Sequence, residues 1–187
     1  MKRLALALSL AAALAPTAHA IEYTKVQADQ SSITFSYTQM GVTMDGRFKD
    51  FTNQLSFDPA QPTNAKATIE VALASIDTGT AEGDDEVAGK SWFNTKAFPT
   101  ARFESSSVKA VGDNRYEVAG KLTIKGQTRE VVVPASLTPQ GNAGVFAGTF
   151  TIRRGDFSIG EGSWSTFDIV ANDIQIRFEI TALSGNP

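Results

Sequence analysis

Residues 31–57 constrain this chain more than any other stretch. The first part alternates strictly, with Ile33, Phe35 and Tyr37 on one side of an extended backbone and Ser32, Thr34, Ser36 and Thr38 on the other. A helix would spread those apolar side chains around its axis, so the pattern reads as a half-buried β-strand. After Gly41 the alternation resumes loosely through Val42, Met44, Phe48, Leu55 and Phe57, with Gly46 where a bulge or sharp bend is expected. The stretch therefore predicts a hairpin with one apolar and one polar face.

Later segments repeat the pattern. Ala67, Ile69, Val71 and Leu73 share one face, and Ala101 and Phe103 another. Tyr116, Val118, Gly120, Leu122 and Ile124 precede Lys125-Gly126, where a tight turn tolerates positive φ. Val131, Val133, Ala135 and Leu137 follow, with Pro134 marking an edge or a bulge. Phe146, Gly148, Phe150 and Ile152 form one more face, and Ile174, Ile176, Phe178 and Ile180 the last. Only residues 80–93 break the rule: they are acidic, and Thr80 or Asp84 caps a short helix running toward Trp92 and Phe93. About eight strands with one helical insert predict an all-β fold, a single antiparallel sandwich or barrel.

The N-terminus reads differently. Lys2 and Arg3 precede an apolar run at residues 4–14, and Ala18-His19-Ala20 offers a small-x-small cleavage site. The run is shorter than the roughly 20 residues of a spanning helix. Residues 1–20 are therefore expected to be a cleaved signal peptide, and residues 21–187 a single exported domain. Without Lys2 and Arg3, 15 basic residues face 20 acidic ones, a balance that disfavours a nucleic-acid partner. The one histidine, His19, lies in the expected leader, and the chain has no cysteine. Thiolate nucleophiles, Ser-His-Asp triads, and zinc or haem sites built on His or Cys are thereby excluded from the mature domain.

Three features invite a functional reading. Phe35, Tyr37, Phe48, Phe51, Phe57, Phe103 and Phe150 either line a tunnel or fill a core, and periodicity does not separate the two. Glu82, Asp84, Asp85 and Glu86 resemble the paired carboxylates of a hydrolase, but acids also favour a solvated helix N-terminus. Gly155, Gly160 and Gly162 lack the Lys-Ser/Thr ending of a phosphate loop and suit a rim turn. Nearby Arg153 and Arg154, with Arg47, either meet an anionic head group or lie solvated on the surface. Trp92 and Trp164 either wall an entrance or pack as ordinary aromatics.

Several motifs together resemble the YceI-like family, polyisoprenoid-binding proteins of the bacterial periplasm. They are Ser31-Ser32-Ile33-Thr34-Phe35, Gly46-Arg47-Phe48-Lys49-Asp50-Phe51, Ser75-Ile76-Asp77-Thr78, Trp92-Phe93-Asn94-Thr95-Lys96-Ala97-Phe98-Pro99, Ala101-Arg102-Phe103-Glu104-Ser105, Gly120-Lys121-Leu122-Thr123-Ile124-Lys125-Gly126 and Asp156-Phe157-Ser158-Ile159. Where many members carry a histidine before the first glycine, this chain has Gln39, and where many carry Arg-Asp it has Gly83-Asp84. The resemblance implies an eight-stranded lipocalin-like barrel that holds a long-chain isoprenoid lipid, with no catalytic residues, cofactor or metal. The expected lining is Phe35, Tyr37, Met40, Phe48, Phe51, Ile69, Val71, Leu73, Trp92, Phe93, Phe98, Phe103, Phe150 and Phe157. The resemblance also implies a periplasmic setting near a cytochrome b561-type membrane protein, and it leaves room for a homodimer. An extracytoplasmic hydrolase using the acidic run and a solid-core interaction domain are the competing readings.

Overall fold

In a computed structural model, residues 21–185 are described, and the expected leader at residues 1–20 lies outside them. The strands are β1 (Tyr23–Gln39), β2 (Val42–Phe48), β3 (Phe51–Ser56), β4 (Lys66–Ala72) and β5 (Ile76–Asp77). Helix α1 (Ala81–Ala88) follows, then β6 (Thr100–Gly112), β7 (Arg115–Ile124), β8 (Gln127–Gln140), β9 (Ala143–Arg153) and β10 (Asp173–Ser184). They form one antiparallel sheet in the order β3-β4-β6-β7-β8-β9-β10-β1-β2-β5. The sheet curls on itself, and Tyr23 and Phe57 exchange backbone hydrogen bonds of 2.8 and 3.1 Å that join β1 to the end of β3.

The strand count is ten rather than eight: the second arm of the expected hairpin splits into β2 and β3, and the two-residue β5 is the other addition. β1 and β2 do pair, Ile33 opposite Phe48 through Gln39 opposite Val42. β2 and β3 do not. From Phe48 to Phe51 the apolar pattern slips by an odd number of residues, and a period-two strand cannot absorb that slip without turning over. The chain bends at Lys49 and Asp50, whose backbone groups bond to Ser75 and Ala72. β3 then pairs with β4, while β2 pairs with the two-residue β5. Gly46 is accordingly neither bulge nor bend. It sits in regular register opposite Phe35, and a Cβ there would come within 2.3 Å of the Phe35 ring.

β1 also starts earlier than the alternation suggests. Between Gln27 and Ser32 its register against β10 shifts, and Ser31 supplies the missing bonds, its hydroxyl donating to Gln27 O and accepting from Thr181 N. The hairpin at Lys125-Gly126 is as expected, with both residues at positive φ. Pro134 lies in an interior strand, but the β8–β9 ladder begins only at Ser136 opposite Ala147, so Pro134 interrupts no bond to β9. Helix α1 starts as predicted: Gly83 N–H donates to the Thr80 hydroxyl at 3.1 Å, and Glu82 and Asp84 occupy the first turn. It stops at Ala88, short of Trp92.

Buried apolar residues form two clusters. One contains Leu73, Trp92, Leu122, Ile124, Ile152 and Phe157, the other Tyr23, Phe57, Val108, Tyr116, Leu137 and Phe146. The second is an aromatic stack in which Phe57 meets Tyr116 and Phe146 edge-on at 5.0 and 5.1 Å.

Candidate functional site

The sheet curls around an apolar cavity of about 560 Å³ whose wall draws on both clusters. That volume lies within the range of small-molecule sites. The wall follows from the alternation: every second residue of a curled strand points inward, and on β1, β4 and β10 those residues are large and apolar. Ten expected lining residues do line it: Phe35, Tyr37, Phe48, Ile69, Val71, Leu73, Trp92, Phe93, Phe103 and Phe150. Leu73 does so from a 3₁₀ turn, Leu73–Ser75, and not from the strand. Phe35 packs against Phe48 at 5.4 Å, and Phe48 against Phe93 at 6.4 Å. Tyr37 shares the wall, and burial pushes its phenol above the ordinary tyrosine range.

Four expected lining residues lie elsewhere. Met40 occupies the β1–β2 turn at positive φ, exposed to solvent. Phe51 shares the inward face of β3 with Asn53 and Leu55, which do line the cavity, but it packs into the second cluster at the start of the strand. Phe98 lies over the β7–β8 turn, where a Cβ on Gly126 would approach its ring to 3.0 Å. Phe157 is buried in the first cluster, under the Arg129 guanidinium at 6.0 Å, behind the wall. All four are apolar and next to strand ends, and a periodic pattern does not say on which side of a bend a residue falls.

The wall also includes residues outside the expected lining, among them Trp164, read from the sequence as a candidate entrance wall, and Glu86 of the acidic run. Ile174, Ile176, Phe178 and Ile180 line the cavity from β10, where their shared face was legible. Gln39, Met44, Thr78, Thr80, Gly83, Glu86, Val87 and Trp164 also line it, and exposed Met44, Thr80 and Glu86 among them mark its mouth. Met44 apart, whose place in the alternation was legible, no apolar period announces those side chains. Two polar atoms of lining residues, Asn53 Oδ1 and Trp92 Nε1, are buried without a partner, each at a desolvation cost of about 1–3 kcal/mol.

The charged candidates have structural work. Arg154 is not solvated: it is 1% exposed, and its guanidinium donates to the carbonyls of Ile159, Gly160, Trp164, Thr166, Val170 and Ala171. Its ring neighbours are Trp92 and Phe167, at 5.3 and 4.8 Å. Burial lowers its pKa. Lys125 is likewise buried, its ammonium shared among Lys90 O, Ser158 O and Glu161 Oε2. Both cations bind the loop between β9 and β10, so neither is free to meet an anionic head group. Arg47 pairs with Asp77 at 3.0 Å in solvent, and Arg153 is exposed. In the acidic run, Asp84 Oδ1 accepts from Thr78 N and Oγ1, Glu86 accepts from Trp164, and Glu82 and Asp85 point into solvent. Trp164 packs on Trp92 at 5.4 Å, so the two indoles both wall the cavity and pack together.

A curled all-β sheet around a predominantly apolar interior cavity is the fold of a hydrophobic-ligand binder. Residues 24–182 match the YceI-like domain, and the chain belongs to that family. A UPF0312 protein of Pseudomonas savastanoi pv. phaseolicola is 33% identical over 184 residues, 94% of each chain. The crystal structure of Burkholderia cenocepacia BcnA superposes with a TM-score of 0.83 at 39% identity, covering 84% of this chain and 99% of that one. A polyisoprenoid-binding domain from Saccharophagus degradans shares the fold at 14% identity and a TM-score of 0.68, covering 88% of this chain and 99% of the other.

Proposed function

We propose that this protein holds a long-chain lipid, a polyisoprenoid or quinone-like molecule, in its apolar cavity and shields it from water. The observation that carries this reading is the cavity itself: about 560 Å³ inside a small domain, walled by aromatic and branched aliphatic side chains. Close-packed interiors leave few voids larger than a water molecule, so a space of this size in a natural core calls for an occupant. Sequestering ten ligand carbons yields about 8 kcal/mol gross, before association costs. Apolar contact therefore suffices to retain a lipid without specific chemistry. The family, and the polyisoprenoid-binding domain of the same fold, support the same reading.

A binding role fits better than hydrolysis. Asp84 and Glu86 are engaged in hydrogen bonds that hold the helix and the mouth, while Glu82 and Asp85 face bulk solvent. The pattern of residues 1–20 supports export to the periplasm, with the mature chain beginning at Ile21. N-terminal sequencing of the exported form checks this. A cytochrome b561-type membrane partner and a homodimer rest on the family resemblance, and co-purification from solubilised membranes and sedimentation equilibrium test them.

The deciding experiment is native mass spectrometry of protein purified from its own host, followed by solvent extraction. A stoichiometric long-chain lipid is the expected result. Protein that is empty in every preparation would refute the proposal in favour of a structural domain.

A further inference from the structure

Five of the large apolar side chains exposed among the described residues gather at one end of the sheet: Met40, Val42, Met44, Phe167 and Ile169. The backbone brings them together. Met40 N–H donates to the Ile169 carbonyl at 2.7 Å, and Gln39 bridges to Val170. Met44 pairs opposite Tyr37 and Val42 opposite Gln39. Because Tyr37, Gln39 and Met44 line the cavity, Val42 lies on the same face of β2, one step beyond the rim. Met40 is 75% exposed and Val42 60%, while Met44 is both exposed and part of the wall. The apolar wall thus continues along β2 from the interior onto the surface.

We propose that this face docks on a lipid bilayer, so that a lipid passes between bilayer and cavity along β2 without crossing water. The inference rests on the lipid-holding reading above. Its continuity with the cavity mouth singles out a bilayer, since a polyisoprenoid or quinone-like molecule is too apolar for water and is dissolved in the hydrocarbon of a bilayer. Shape agrees: the patch is a hairpin tip with one flanking strip, and a deformable surface covers both. Charge selects the kind of bilayer. Asp45 and Asp168 flank the patch in solvent, and the nearby Arg47 is held by Asp77. A negative rim favours zwitterionic over anionic lipid.

The test is co-sedimentation of the purified protein with sucrose-loaded vesicles of phosphatidylcholine, alone or with one part in three phosphatidylglycerol. The parent is expected to sediment with phosphatidylcholine vesicles and less with the anionic mixture. Met40→Asp combined with Val42→Asp should reduce the bound fraction by about tenfold or more. Its thermal midpoint should stay at the parental value, because neither side chain lines the cavity. A parent that stays in the supernatant, or a double variant that binds equally well, overturns the proposal. So does a concentration-dependent dimer that the double variant dissolves, which would assign the face to a second copy. Vesicle binding that the substitutions abolish, in protein that never yields lipid on extraction, would leave the docking face standing and refute the lipid-holding reading instead.

Discussion

Trp164 Nε1 donates to Glu86 Oε1 at 2.8 Å, tying the 3₁₀ turn Gly162–Trp164 to helix α1 at the mouth of the cavity. Helix α1 has no fully buried residue; besides this bond it is held by Asp84 on Thr78, by Val87 against the first cluster and by the Phe93 and Thr95 N–H groups on its last carbonyls. Breaking the Trp164–Glu86 bond should loosen the entrance while changing the lining only at the exposed mouth. Glu86→Ala is expected to raise both the association and dissociation rates of a dansyl-labelled prenol about fivefold, the equivalent of about 1 kcal/mol, with Kd changed by less than about twofold. Stopped-flow fluorescence separates the rates. A change in Kd at constant association rate would mean that Glu86 contacts the ligand and does not gate it.

Val71 lies between Phe51 and Ala101 in the β3-β4-β6 ladder and faces the cavity. In a solid core, Val71→Trp would destabilise by about 1–3 kcal/mol or more. Here the indole is expected to enter the cavity, leaving the delipidated protein at a parental thermal midpoint while bound lipid falls to about half or less of the parental stoichiometry. A stable variant with full lipid would show that the ligand does not reach β4.

Arg154 gives six backbone carbonyls their donor, and the loop between β9 and β10 has no sheet ladder of its own. Arg154→Met keeps the bulk and strands those carbonyls, so an equilibrium denaturation midpoint should report a loss of about 3–5 kcal/mol. Arg154→Lys should recover only part of it, because an ammonium has three donors where the guanidinium fork has five. Full recovery by lysine would show that charge alone, and not the planar array, holds the loop.

Burial raises the pKa of Tyr37 above the ordinary value of 10.0. The native state therefore holds this proton more tightly than the unfolded chain does. Its contribution to stability is fully present below about pH 10 and is lost as pH rises through the native pKa. The thermal midpoint is expected to fall between pH 9.5 and 11, and Tyr37→Phe should flatten part of that fall. Loading the cavity with lipid should delay the phenolate absorbance further, since the ligand replaces the remaining water around the ring. An unchanged titration in the lipid-loaded protein would place the ligand away from Tyr37.

By itself the sequence determined the all-β class, the antiparallel strands, the Lys125-Gly126 turn, a short helix capped by Thr80 or Asp84, and an apolar inward face on β1, β4 and β10. Period-two alternation and a set of ordered motifs made the family legible, and ten of fourteen expected lining residues followed. Tertiary structure alone decided the rest. Alternation labels two faces but does not tell a hollow interior from a filled one, because both need the same apolar side chains and differ only in how closely opposite walls approach. It does not locate the closing loops either, and so Phe98 and Phe157 were assigned to a wall from which those loops remove them, while Phe51, on the inward face of β3, packs into the second cluster. Arg154 reads as a surface residue because arginine usually is one; six carbonyls from residues 159–171 converge on it only when that loop folds back. The mouth has the same origin: Glu86 and Trp164 are 78 residues apart, and only the curl of the sheet brings them within a hydrogen bond.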